Sequence, residues 1–251
     1  MTTKENVIGG RNPVLEALKS SASVKRIVLL TGIHGRVIDE IKALASQKRV
    51  STSELGKTEF HALTNDPSTQ GVIAIVETTP QVDLASILQS VKSKKEAGFL
   101  LILDEIEDPQ NLGALIRSAE CTGVHGVVIP KHHAASVNST VVKASAGATA
   151  YVPVAEVTNV ATTIKQLKEN GYWVTGLDAN ADQLFSAVDY KGHVAIVIGS
   201  EGRGIRRLVR EQCDFLVRIP LKGRIESLNA SVAGALVMYE VLRQRALPGN
   251  T

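Results

Sequence analysis

Two runs of five residues, Phe99–Leu103 and Val194–Ile198, contain no polar side chain. Side chains on a strand alternate between its faces, so such a run is dry on both sides. Strands of that kind belong to sheets covered on both faces, which are built from parallel strands joined by helical crossovers. The neighbouring chain supplies the crossovers. Strand patterns at Gly126–Ile129, Tyr151–Val154, Tyr172–Leu177, His193–Ile198 and Phe215–Ile219 alternate with helical patterns at Asn111–Thr122, Ser136–Ala146, Val160–Glu169 and Ile205–Glu211. A longer helix, about Ser231–Arg245, closes the series. An α/β domain on a parallel sheet is expected.

The first 78 residues repeat the alternation on a smaller scale. Asn12-Pro13 opens a helix with Val14, Leu15 and Leu18 on one side. Val24–Leu30 and Gly71–Val76 are β-branched strand runs, Val37, Ile38, Ile41 and Leu44 recur at helical spacing, Val50–Leu55 reads as a short strand and Lys57–Leu63 as a short helix. Thr78-Thr79-Pro80 breaks the pattern, and a helix at Val82–Val91 followed by Lys92-Ser93-Lys94-Lys95-Glu96 reads as a linker. The expected domains are therefore residues 1–78, a linker 79–98, and residues 99–247.

Composition narrows the class. Hydrophobic residues make up 44% of the 251 and charged residues 21%, which excludes a disordered chain and a collagen. No apolar run approaches the roughly 20 residues of a membrane helix. The N-terminus lacks the apolar core of a secretory signal. Cys121 and Cys213 stand far apart with no CxxC, which suits a reducing cytoplasm and supplies no zinc cluster. Adjacent His132 and His133 diverge in direction and lack a carboxylate or thiol at ligand spacing, so no metal site is expected. Net charge is only +3, but Arg203 to Arg224 holds seven basic residues (Arg203, Arg206, Arg207, Arg210, Arg218, Lys222, Arg224) against Glu211 and Asp214. That local excess can meet a polyanion or be a solvated face.

Three segments at predicted strand ends carry chemistry. In the first, Leu103 to Ala119, an acidic loop leads into a helix that Asp108 can cap and Pro109 can begin; Asn111 and Gly113 fall in its first turn, with Arg117 further on. In the second, a strand runs into Gly199-Ser200-Glu201-Gly202-Arg203-Gly204. Glycines there let backbone approach a ligand closely, and Glu201 either shapes a turn or orients a cationic partner. The glycine order matches neither a dinucleotide fingerprint nor a phosphate-binding P-loop. In the third, a strand ends at Ile219-Pro220 and Ser227-Leu228-Asn229-Ala230-Ser231 precedes the last helix. Ser227, Asn229 and Ser231 are all good caps and only one is needed, so the others want a different partner.

Taken in order, these segments resemble the three signature motifs of the SpoU-type ribose 2′-O-methyltransferases of the SPOUT superfamily. Asn111 to Ala119 follows N-x-G-A-x-x-R-S-A, Gly199 to Gly204 follows G-x-E-G-x-G, and Ile219 to Ala233 follows I-P-x-x-G-x-x-x-S-L-N-x-S-x-A. The resemblance covers roughly Phe99 to Arg245. Gly9 to Leu18 and Gln70 to Ala74 are similar to the opening and the closing strand of that family's RNA substrate-binding domain. The resemblance implies a deep trefoil knot in the catalytic domain, which periodicity does not show. It implies S-adenosylmethionine against the second and third motifs, at Gly199, Ile219 and Leu228 with Gly202 and Pro220 alongside. It implies Asn111, Arg117, Glu201, Ser227 and Asn229 as catalytic residues, with Glu201 orienting Arg117. Arg117 is often given the general-base role, but an arginine that stays protonated suits phosphate holding and alkoxide stabilisation better. It further implies a homodimer through the knot and the final helix, whose Val237, Val241 and Leu242 can equally be core. The two-domain form resembles the enzymes that methylate a guanosine ribose in large-subunit (23S) ribosomal RNA. Transfer RNA is the alternative substrate. A non-catalytic RNA-binding protein on the same scaffold and a nucleotide-dependent oxidoreductase are the rival readings; the intact motif set disfavours the first and the glycine order the second.

Overall fold

The computed structural model describes residues 6–19, 24–64, 67–76, 82–225 and 227–246. The pattern break at Thr78-Thr79-Pro80 and the motif residue Glu226 lie outside them. Contacts group the chain into two compact units, residues 1–80 with 137–151, and residues 81–136 with 152–251.

The first unit contains β1 (Asn6–Gly9), α1 (Arg11–Lys19), β2 (Val24–Leu30), α2 (Arg36–Gln47), β3 (Ser51–Leu55), α3 (Lys57–Leu63) and β4 (Val72–Val76). The sheet order is β1-β4-β2-β3, with β2 and β3 parallel and β4 antiparallel to both its neighbours. Every residue of β4 is buried, and strand alternation divides them. Val72, Ala74 and Val76 join Ile27 and Leu29 against Val14 and Leu18 of α1 and Ile38 and Ile41 of α2. Ile73 and Ile75 join Val28 and Phe60 of α3 on the opposite side. Helices therefore cover both faces of this small sheet.

The second unit contains α4 (Leu84–Lys94), β5 (Phe99–Asp104), α5 (Pro109–Cys121) and β6 (Gly126–Pro130). The helix α6 (Ser139–Ala144) groups with the first unit. The second unit resumes with β7 (Val154–Val157), α7 (Val160–Glu169), β8 (Trp173–Leu177), β9 (Gln183–Leu184), β10 (Val194–Gly199), α8 (Arg207–Arg210), β11 (Phe215–Arg218) and α9 (Ala230–Ala246). Its strands pair in the order β7-β6-β5-β10-β8-β11-β9, all parallel. Both apolar runs of the sequence, β5 and β10, are buried throughout and lie side by side in the middle. Leu100, Ile102, Ala195 and Val197 pack with Leu84 and Ile87 of α4 and Ile164 and Leu167 of α7. The other face is covered by α5 and α9. There Gly234 sits so close to the neighbouring elements that a Cβ would come within 2.5 Å of Leu115 Cδ2 and 3.5 Å of Ile198 Cγ1.

Three differences from the sequence pattern have physical causes. The expected strand Tyr151–Val154 begins three residues later, at Val154. A 3-10 turn at Ala148–Ala150 precedes it, and Pro153 has no N–H to give the ladder and contributes only its carbonyl, to the Val127 amide at 2.9 Å. The helical segment expected at Ser136–Ala146, within residues 99–247, packs with the first unit. Its Val142 lies against that unit's core, Lys143 donates to Ser68, the Tyr151 hydroxyl donates to Glu16 Oε2 at 3.0 Å, and Gly147 (φ +90°) approaches Glu16 within the space of a Cβ. Periodicity identifies such a helix but not its distant partner. On α9, Val237 and Val241 are core and Leu242 is half-buried, so the apolar face left exposed is instead Val232, Leu236 and Tyr239.

Candidate active site

Each motif starts where a strand of the seven-stranded sheet stops: the first after β5, the second after β10, the third after β11. Because the sheet is parallel, all three leave from its C-terminal edge, where open α/β sheets bind ligands. Asp104 and Gly199, the last residues of β5 and β10, are register partners.

Local chemistry aims each motif. Asp108 caps α5, accepting from the Gln110 and Asn111 amides at 3.2 Å each, with Pro109 in the first turn. This sets Asn111 in the first turn, 8% exposed. After β10 the chain reverses in a turn closed by Ser200 N–H to Gly204 O (3.2 Å) and Gly204 N–H to Ser200 O (2.8 Å). Gly202 and Gly204 both have left-handed φ, +80° and +67°, and Glu201 sits in this turn. Asn229 is the cap of α9. Its Oδ1 accepts from the amides of Ser231 (2.9 Å) and Val232 (3.3 Å) and from the Ser231 hydroxyl (2.5 Å).

One residue from each motif then closes a triangle. Asn111 Nδ2 donates to Glu201 Oε1 at 3.0 Å. Asn229 Nδ2 donates to the same oxygen at 2.5 Å and to Asn111 Oδ1 at 2.9 Å. The Ala230 amide, in the first turn of α9, reaches Glu201 Oε1 at 3.3 Å. The carboxylate therefore rests on a helix N-terminus, where negative charge is favoured. Asn229 resolves the surplus of caps in the third motif: its oxygen caps the helix and its nitrogen ties the motifs together.

The other expected site residues are placed differently. Arg117 is exposed and makes no hydrogen bond or ion pair among the described residues, and Glu201 does not meet it. The cause is helical geometry: six residues beyond Asn111 at about 100° per residue, Arg117 points roughly 120° away around α5. Ser227 is exposed, with no hydrogen bond among the described residues. Gly199 is buried where any Cβ would lie 2.1 Å from Gly204 C and 2.2 Å from Ile205 N. Gly202 has open space around it. Ile219 is half-buried, and Pro220 and Leu228 are exposed on the loop before α9.

The basic run is largely neutralised. Arg203 pairs with Glu105 and Glu107, Arg206 with Asp104 and Glu105, Arg207 with Glu211, and Arg210 with Asp178. Among the described residues, only Arg218, Lys222 and Arg224 of that run lack a carboxylate partner. The side-chain bond to Asp104 holds the Arg206 guanidinium above its ordinary range. Composition does not reveal these pairings, because Asp104, Glu105 and Glu107 come from a segment some hundred residues earlier. A signal for Asp104 existed: an acid ending an otherwise apolar strand must find a partner when buried.

Comparison with known proteins identifies the family. Residues 98–239 match the profile of the SpoU rRNA Methylase family, and residues 7–82 match RNA 2′-O ribose methyltransferase substrate binding. A Staphylococcus aureus (strain MSSA476) protein assigned to the TrmH family of tRNA/rRNA methyltransferases is 43% identical over 247 residues, covering 96% of this chain and 97% of the relative. Its Bacillus subtilis (strain 168) counterpart, YacO, is 40% identical over 245 residues, covering 98% of each. Among solved structures, the SpoU methyltransferase AviRb from Streptomyces viridochromogenes, in complex with the cofactor AdoMet, superposes with a TM-score of 0.81 at 25% identity, covering 96% of this chain and 90% of AviRb. The chain belongs to the SpoU rRNA methylase family.

Proposed function

We propose that this RNA 2′-O-methyltransferase uses S-adenosylmethionine to methylate a guanosine ribose of large-subunit (23S) ribosomal RNA. The observation that carries the reading is the Asn111–Glu201–Asn229 triangle, which draws one residue from each motif to a single point at the sheet's C-terminal edge. The RNA assignment rests on the two-domain form, with residues 1–78 as the RNA-binding domain, 79–98 as the linker and 99–247 as the catalytic, trefoil-knotted domain. Transfer RNA is the alternative that the relatives' names keep in view.

The loop before α9 fits the cofactor. Leu221, Ile225 and Leu228 expose apolar side chains there. Gly202 leaves open space beside its backbone, and the loop amides from Leu221 to Ile225 have no protein acceptor among the described residues. Apolar side chains beside free backbone groups suit a flat adenine ring with polar edges. Gly199, Gly202, Ile219, Pro220 and Leu228 would hold the group, which supplies an activated methyl when bound. The chain's own residues position the acceptor. Holding the ribose hydroxyl in line is worth about 7–11 kcal/mol in favourable cases. Glu201 keeps the three motifs in register, Ser227 offers a free hydroxyl to substrate, and Arg117 holds a phosphate and stabilises the developing alkoxide.

The exposed apolar face formed by Ala114 and Ser118 of α5 with Val232, Ala235, Leu236 and Tyr239 of α9 is the proposed homodimer surface. It adjoins Arg117, so dimer formation changes what the guanidinium meets. Leu236→Asp should shift the light-scattering mass from dimer to monomer.

The test incubates protein with radiolabelled S-adenosylmethionine and, separately, unmodified ribosomal and transfer RNA, with label mapped by nuclease digestion and mass spectrometry. Ribose-methylated guanosine in large-subunit RNA is the expected result. Label in transfer RNA alone overturns the substrate, and absence of cofactor binding overturns the site. Arg117→Lys should abolish turnover with cofactor affinity near normal.

A further inference from the structure

Asp104 is fully buried at the end of β5, and a buried carboxylate persists only with donors around it. Among the described residues, Arg206 supplies them all. Its backbone amide donates to Oδ2 at 2.9 Å, and its Nε and Nη2 donate to Oδ1 at 2.9 and 2.5 Å. The remaining nitrogen, Nη1, pairs with Glu105 at 3.2 Å. Glu105 itself holds a left-handed backbone, φ +60°, which costs a non-glycine residue energy and persists where the surroundings enforce it.

The position of this clamp matters more than its strength. Asp104 is the register partner of Gly199, where the second motif leaves the sheet, and Arg206 is where the chain returns after Ile205 enters the core. One residue thus meets both ends of the loop: its backbone pairs in strand register with Gly199 and its carboxylate binds Arg206. Between them lies only the Ser200–Gly204 turn that carries Glu201. Among the described residues, no hydrogen bond or ion pair joins Asp104 or Arg206 to Asn111, Glu201 or Asn229.

We infer that Asp104 and Arg206 are positioning residues whose ion pair sets the 200–205 loop and thereby the Glu201 carboxylate. The inference rests on the reading of the Asn111–Glu201–Asn229 triangle as the active site. Displacement of a catalytic group by about 1 Å can cost on the order of 100-fold in rate, so the effect belongs in kcat and not in RNA affinity.

The test compares Arg206→Gln, Arg206→Lys and Asp104→Asn with Arg243→Ala, which breaks a two-pronged arginine–carboxylate pair with Glu240 near the other end of α9. Assays run well below each variant's melting temperature. Arg206→Gln and Asp104→Asn should lower kcat by about 30- to 100-fold with RNA KM within about threefold. Arg206→Lys, which keeps one charged contact, should recover part of the loss, and Arg243→Ala should leave kcat unchanged. In protein labelled with 15N-asparagine, the side-chain amide signals of Asn111 and Asn229 should move in Arg206→Gln and Asp104→Asn and stay in place in Arg243→Ala. A raised KM with unchanged kcat would make Arg206 an RNA contact and overturn the inference, as would unmoved asparagine signals. If the signals move but Glu201→Gln keeps full turnover, the clamp stands and the active-site reading falls.

Discussion

Replacing Glu201 by glutamine separates the charge of the carboxylate from its geometry. The three donors that reach it, Asn111 Nδ2, Asn229 Nδ2 and the Ala230 amide, all converge on Oε1. No protein donor among the described residues reaches Oε2. A glutamine with its carbonyl at the Oε1 position keeps every bond but turns charge-assisted ones, worth about 1.5–3 kcal/mol, into neutral ones of about 0.5–1.5 kcal/mol. Glu201 and Asn229 are exposed, so solvent shares the difference and the net cost is about 1–2 kcal/mol. Alanine instead leaves the Asn111 amide without an acceptor at a residue 8% exposed, about 1–3 kcal/mol. It also removes a negative charge from the start of α9, roughly 0.3–1 kcal/mol more. The expected order is wild type, then glutamine, then alanine at about 1–4 kcal/mol in all. Urea unfolding followed by circular dichroism measures it, alongside methyl-transfer rates. Turnover of Glu201→Gln should fall on the order of 10- to 100-fold, because the free carboxylate oxygen becomes an N–H donor. A glutamine variant as unstable as alanine would refute the Oε1 geometry. One with wild-type turnover would refute a role for the second oxygen.

Gly199→Ala should destabilise by about 3 kcal/mol or more, since its Cβ meets backbone that cannot swing aside; Gly202→Ala, in open space but at φ +80°, should cost only about 1 kcal/mol, and equal denaturation midpoints for the two would count against the tight turn. Lys222→Ala and Arg224→Ala should each reduce the salt dependence of RNA binding by about 0.7–0.9 in log–log slope, whereas Arg207→Ala, already paired with Glu211, should leave it unchanged; a matching drop for Arg207 would show that the ion pair opens to RNA. The Arg243 side chain beside Glu240 holds its carboxyl below the ordinary value of 4.5. A depressed folded-state pKa contributes stability that is fully present above 4.5 and lost as the pH falls through the lowered value. The stability gap between wild type and Glu240→Gln should therefore shrink on acidification below that point, and a gap independent of pH would dismiss the pair.

Much of this molecule is legible in order along the chain. The dry runs at β5 and β10 require a sheet covered on both faces, and the Asp108-Pro109 pair marks the start of α5 just before the motif. What resists such reading is distance and direction. Arg117 and Asn111 share one helix and one motif, yet six residues of helical rotation send them different ways. The basic run from Arg203 looks like an RNA-facing patch until four of its arginines are seen against acids, three of which come from the end of β5 and the loop after it. Likewise α6 has an ordinary helical pattern, and nothing local reveals that it lies on the first unit.

Sequence alone determined the alternation of strand and helix, the three motifs at strand ends and the family that carries them. Those features depend on side-chain type and short-range spacing, which hydrophobic burial and backbone capping read directly. Only the tertiary structure decided which motif residues meet: the parallel register that sets Gly199 beside Asp104, the single oxygen of Glu201 shared by Asn111 and Asn229, and the arginine that closes the loop. These contacts join residues roughly 30 to 120 positions apart. Their geometry follows from the order in which the strands assemble, which no local pattern encodes.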